Sequence, residues 1–197
     1  MRMRIAATAA RIMAEEGIDD FALAKRKAAR RLGAADSEAL PANDEIEAEL
    51  RDYLALYQAD EHPERIIELR RAALAAMQAL ERFSPYLTGP VLAGLAGPYA
   101  EIELQLFPES SKEVELFLLD HDLTYDASDE RRYTGDRARA VAVITLDWDG
   151  VPLRLSVFDP RDERAAMKTT QAGKVVVRAG LAEVRSLVET DQDARAA

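Results

Sequence analysis

The sequence predicts an α+β chain in which a helical N-terminal segment of about four helices precedes a small mixed β-sheet with packing helices. Three observations carry this. Apolar residues recur at helical spacing through residues 1–83, and strict alternation replaces that period after Ser84-Pro85. Asp149-Gly150 then stands between two alternating runs as a hairpin signal, because both turn positions favour φ > 0. The boundaries read as 1–83 for the helical region, 84–190 for the α/β domain and 191–197 for a polar, flexible tail.

In order, Ile5, Ala9, Ile12 and Met13 line one side of a first helix over 4–16, which Gly17 stops. Asp19 or Asp20 caps a second, 21–32, with Phe21, Ala24, Ala28 and Leu32 inward and Lys25, Arg26, Lys27, Arg30 and Arg31 around the rest. After a loop over 34–43, Ile46, Leu50, Tyr53, Leu54 and Tyr57 define a third helix over 44–57. Ile66, Leu69, Ala73, Met77 and Leu80 define a fourth over 64–83.

Beyond Pro85, Pro90–Ala93 is a short apolar run ending at Gly94, the place of a strand end. Residues 101–107 alternate, with Ile102, Leu104 and Leu106 on one face and Glu101, Glu103 and Gln105 on the wetter one. Ser110 and Glu113 form a capping-box pattern for a helix over 112–120, whose Val114, Phe117 and Leu118 face a sheet. Residues 126–132 mix charges without apolar alternation and read as a solvated loop. Strands over 139–148 and 151–158 flank the hairpin, a short strand is expected over 174–178, and a closing helix over 181–188.

A chain of 197 residues with 48% apolar content can bury a sizeable core. The absence of cysteine excludes disulfides, zinc–thiolate sites and thiol nucleophiles. Only His62 and His121 carry imidazole, so any metal would be held by oxygen. No run approaches the roughly 20 apolar residues of a membrane span, so no membrane partner and a cytoplasmic location are expected.

The net charge of −10 opposes wholesale binding to phosphate backbones. Residues 1–33, with eight Lys/Arg against four Asp/Glu, nevertheless carry +4. Lys25, Arg26, Lys27, Arg30 and Arg31 therefore have two readings, a phosphate- or nucleic-acid-contacting helix or a solvated face. The opening, with Glu15-Glu16-Gly17 between two helices, resembles the start of TetR-type repressors and makes a DNA-binding regulator one alternative. The residues that follow, 44–57, are acidic, the wrong sign for a recognition helix.

The chemistry concentrates around residue 100. Alternation puts Glu101 and Glu103 on one side of a strand, two positions apart, where their carboxylates can converge on a divalent cation. The Gly94-Leu95-Ala96-Gly97 turn before them lets backbone approach a phosphate. The bland alternative is the wet face of an edge strand. The order of apolar run, glycine turn, Glu101-Ile102-Glu103-Leu104 and a later hairpin resembles the nucleotidyltransferase superfamily typified by DNA polymerase beta and the minimal nucleotidyltransferases, over residues 86–160 or so.

That resemblance implies a nucleotidyltransferase-like fold, with Gly94, Leu95 and Ala96 at the nucleotide, Mg²⁺ on Glu101 and Glu103, and transfer of a nucleoside monophosphate to RNA, protein or a small molecule. The third acid of the family should fall at Arg154. There a fixed guanidinium substitutes for the cation's charge instead of binding a cation. Asp147 on the neighbouring strand is the candidate replacement ligand. Leu95 stands where the family has a serine hydroxyl, and the turn from Gly94 to Glu101 is short. These departures favour a lapsed site acting as a nucleotide- or partner-binding module, with the active Mg²⁺-dependent enzyme as the alternative.

Overall fold

The computed structural model describes residues 1–18, 20–34, 40–59, 61–134, 137–168 and 175–196. The chain divides into two compact units, one comprising residues 1–66 and 94–100 and the other 67–93 and 101–197. The division falls inside a helix, whereas composition placed the change of character after residue 83.

The first unit contains α1 (Arg2–Glu16), α2 (Phe21–Arg31), α3 (Asn43–Tyr57) and the start of α4 (Glu61–Ala79). Gly17, at φ 66°, closes α1 in the left-handed conformation. The Asp20 carboxylate accepts the N–H groups of Ala22 and Leu23 at the head of α2, while Asp19 lies outside the described residues. Glu45 performs the corresponding task for α3 by accepting the Ala42 N–H. The core is unusually rich in alanine: Ala6, Ala9, Ala10, Ala24 and Ala28 are buried with Ile5, Ile12, Ile46 and Leu50. Small side chains let α1 approach α2 and α3 closely, and the branched residues fill what remains at about 1.5–3 kcal/mol each.

The second unit is a mixed seven-stranded sheet with strand order β6-β3-β4-β5-β2-β1-β7. Its strands are β1 (Tyr86–Thr88), β2 (Ile102–Leu106), β3 (Tyr125–Thr134), β4 (Arg137–Trp148), β5 (Val151–Val157), β6 (Met167–Lys168) and β7 (Ala179–Gly180). Among the described residues only β2 and β5 run parallel; the other neighbours are antiparallel. Two α-helices fall between the strands, α5 (Gly89–Ala93) and α6 (Ser111–Asp120), α7 (Leu181–Ala196) follows the last strand, and most of α4 belongs to this unit as well. The register sets Ile102, Leu104 and Leu106 beside Leu153, Leu155 and Val157, and all six are buried.

The expected hairpin is present, with Asp149 at φ 52° and Gly150 at φ 86°. Ser110 caps α6 through the Lys112 N–H, and Val114 and Leu118 are buried. Four expectations need correction. The apolar run Pro90–Ala93 belongs to a short helix, because Gly89 ends β1 at φ 73° and proline suits a first helical turn. Residues 126–132 form strand and not loop, held by the ladder that β4 offers rather than by any alternation of their own. Of 174–178, Lys174 lies outside the described residues and Val175 forms an isolated bridge to Lys168; the strand is Ala179–Gly180. The last helix continues past Val188 and through the expected tail to Ala196. Among the described residues no helix is long and apolar enough to cross a membrane.

Candidate functional site

The pairing of β1, β2, β5, β4 and β3 aligns one polar row across the sheet. Thr88 pairs with Glu103, Glu103 with Arg154, Arg154 with Thr145 and Thr145 with Asp126. Cross-strand partners share a face, so Glu103 and Arg154 are immediate neighbours on it. The next row on the same face runs through Ser128, Val143, Ser156, Gln105 and Tyr86. Gln105, expected to be wet, is buried.

Glu103 is half-buried, and its carboxylate lies against the start of α5. A Cβ built on Gly89 would stand 2.7 Å from the Glu103 carboxyl carbon. Glycine is therefore required twice over, by its φ of 73° and by this close approach. Glu101 lies just before β2 and is half-buried. Arg154 pairs with the Glu130 carboxylate of β3, which also takes Arg132 at 2.6 Å. Burial pushes the Glu130 carboxyl up, but the Arg154 hydrogen bond and the charges of Arg132 and Arg154 outweigh it and hold the group below its ordinary range.

Asp147, the candidate third ligand, is committed elsewhere: its Oδ1 accepts the Gly150 N–H at 2.7 Å and fixes the hairpin turn. It pairs with Pro152, two residues from Arg154, and so belongs to the same face. Among the described residues no group of three or more His, Asp or Glu is arranged to hold a metal ion. Gly94, Leu95 and Ala96 belong to the helical unit, whereas Glu101, Glu103, Asp147 and Arg154 belong to the sheet unit. The glycine against Glu103 is Gly89. Its signal was legible in Gly89-Pro90, a strand stop followed by a residue suited to opening a helix.

Sequence reasoning also missed a cluster further along this face. Arg178 stands over the Tyr86 ring at 4.6 Å and the Phe107 ring at 5.4 Å, and donates to the Glu163 carbonyl and to Gln105 Oε1. Tyr86 donates its hydroxyl to Glu163 at 2.9 Å. Burial, then the Glu163 hydrogen bond, pushes the phenol above its ordinary pKa. No single local pattern announces these partners.

The basic helix is largely engaged within its own unit. Lys27 and Arg31 both reach the Glu16 carboxylate, at 2.9 and 2.6 Å, and Lys25 donates to Asn43 at 2.7 Å. The hydrogen bond from Lys27, then that from Arg31, holds the Glu16 carboxyl below its ordinary range. Arg26 and Arg30 are exposed. Neither the known family models nor the curated proteins include a match to this chain.

Proposed function

We propose that the sheet unit is a nucleotidyltransferase-like domain with a lapsed metal centre, serving as a nucleotide-binding module and not as a transferase. One observation carries the reading. Glu103 lies over Gly89, at the junction of a strand and a helix, with Arg154 at the adjoining register position of the parallel strand. A junction of this kind brings a carboxylate next to the backbone at a strand end, as a site for metal-assisted phosphoryl transfer would need. The arginine then supplies fixed positive charge where a catalytic centre would need another acid. Phosphate oxygens can be met by a guanidinium without a metal ion, so a phosphate that shares or displaces the Glu130 contact of Arg154 would be bound while catalysis is lost.

Titration of the full chain with labelled ATP, CTP, GTP and UTP, with and without Mg²⁺ or Mn²⁺, tests this. Binding of equal strength with and without metal is expected, with no transfer of a nucleoside monophosphate, and Arg154→Ala should weaken it. Metal-dependent binding and transfer, both lost in Glu103→Ala, would establish the active Mg²⁺ enzyme instead. No binding of any nucleotide at millimolar concentration discards the module. The basic helix lends no comparable support to a DNA-binding regulator, because the helix that follows it opens on Asp44 and Glu45, the wrong sign for DNA.

A further inference from the structure

One carboxylate on the sheet serves two guanidiniums. Glu130 and Arg132 follow Ser128 on β3 at intervals of two residues, so they stand on the face that carries Thr145, Arg154 and Ser156. Arg154 reaches from β5 across β4 to donate to Glu130 Oε1, and Arg132 Nη2 lies 2.6 Å from Oε2. That reach carries the Arg154 head towards β3 and away from β2, the strand of Glu103. Arg139, the cross-strand partner of Arg132, adds a third guanidinium beside them and has its own acid, Asp162, at 3.3 Å. The contact is open to solutes, with side-chain exposures of 21% for Arg132, 26% for Arg154 and 30% for Glu130.

A partly exposed ion pair adds little stability, because water already solvates both charges and long side chains give up rotamers to meet. Two guanidiniums held a carboxylate's width apart nevertheless set out the fork that a phosphoryl group fills. Glu130 brings one negative charge to two positive ones. A terminal phosphate brings three oxygens and about two negative charges at neutral pH, and so matches both cations. An internal phosphodiester carries a single charge and returns no more than Glu130 already supplies. The chemistry of the contact therefore selects a phosphomonoester.

We infer that Arg132 and Arg154 together bind a terminal, dianionic phosphate group, and that Glu130 is the internal anion which this phosphate displaces. The inference rests on the nucleotide-binding reading for its use of Arg154. It adds the second arginine, the internal competitor and the choice of a phosphomonoester over a phosphodiester.

AMP and cyclic AMP, which share base and ribose and differ in the phosphate, are the probes for calorimetric titration of the full chain. AMP should bind at least about tenfold more tightly than cyclic AMP, a comparison that needs no substitution. Glu130→Gln keeps the size of the side chain and removes its charge, and should tighten AMP at least about tenfold. Asp129→Asn makes the same charge change on the opposite face and should leave AMP affinity within about twofold of wild type. Arg132→Gln should erase the preference for AMP. Equal measurable affinity for the two probes, no tightening in Glu130→Gln, equal tightening in Asp129→Asn, or a preference that survives Arg132→Gln would overturn the inference. Each of these leaves nucleotide binding itself in place, so the module would stand without it. Binding of AMP by Glu130→Gln but of no nucleotide by wild type would instead discard the module and keep the phosphate site. No binding by either protein at about 10 mM AMP discards both.

Discussion

Charge is held in opposite ways in the two units. On α2, Lys27 and Arg31 converge on Glu16 from side chains that are 43% and 49% exposed, so water and salt compete with every contact. In the sheet unit Arg154 and Glu130 are 26% and 30% exposed, and Glu103 is pressed against Gly89. Arg70 of α4 goes further, with side-chain exposure of 11%. The difference teaches that a conspicuous cluster of like charge in a sequence is weakly constrained, whereas scattered single charges on strands and buried helix faces become the fixed ones. Three tests by substitution separate the two regimes.

Arg70→Met should have the largest effect. The guanidinium donates to the Val91 carbonyl at 3.2 Å, to the Leu92 carbonyl at 2.9 Å and to the Asp191 carboxylate at 3.0 Å. It thereby joins α4, the end of α5 and α7 within the sheet unit. Removing it strands a partly buried carboxylate and two carbonyls, at a cost of about 2–4 kcal/mol in urea unfolding. Arg70→Lys should recover only part, because an ammonium cannot span the same fork of acceptors. A loss below about 0.5 kcal/mol would show that the enclosed charges are no more consequential than the exposed ones.

Arg154→Met should cost less, about 1 kcal/mol after allowance for solvent screening, and its signature is pH dependence. The Glu130 carboxyl is held below its ordinary range in the folded chain. A depressed folded pKa contributes stability that is present above the unfolded value, about 4.3, and is lost as pH falls through the folded value. The wild-type advantage over Arg154→Met should therefore be full at neutral pH and shrink in acid below about pH 4. Urea midpoints of both proteins at the two pH values check this. A difference that stays constant would mean that Glu130 is not the group Arg154 stabilises.

How much of this was legible follows from where the information sits. The β2 strand, the Asp149-Gly150 hairpin, the Ser110 cap and the Asp20 cap are local, and the chain adopts them, though Gln105 of β2 is buried and not wet. β3 was not legible, because a strand of Asp, Ser, Glu and Arg side chains acquires its conformation from the β4 ladder. Gly89-Pro90 signalled a strand stop, but the contact that puts Gly89 and not Gly94 beside Glu103 was not legible, because it depends on where β1 ends and on the reach of Glu103. The pairing of Arg154 with Glu130 spans two strand boundaries, so position alone pointed to Glu101 and Glu103 as its partners and not to a residue of an apparent loop. Arg178, Glu163 and Tyr86 meet through contacts far apart in the chain.

The smallest effect is expected where the sequence is most conspicuous. Lys27→Ala and Arg31→Ala, singly or together, should leave the melting temperature unresolved from wild type at physiological salt. Each cation has the other as a reserve on the same carboxylate, so one deletion removes a redundant contact. The double variant frees Glu16 into water instead of stranding it in protein, and the side chains regain rotamer freedom on release. Arg31 also lies in the last turn of α2, where positive charge favours the helix terminus, but that term too is screened at the surface. If the double variant instead melted as far below wild type as Arg154→Met does, exposure would not be what separates the two regimes. The shared use of Glu16 would then have to be read as a lock between α1 and α2.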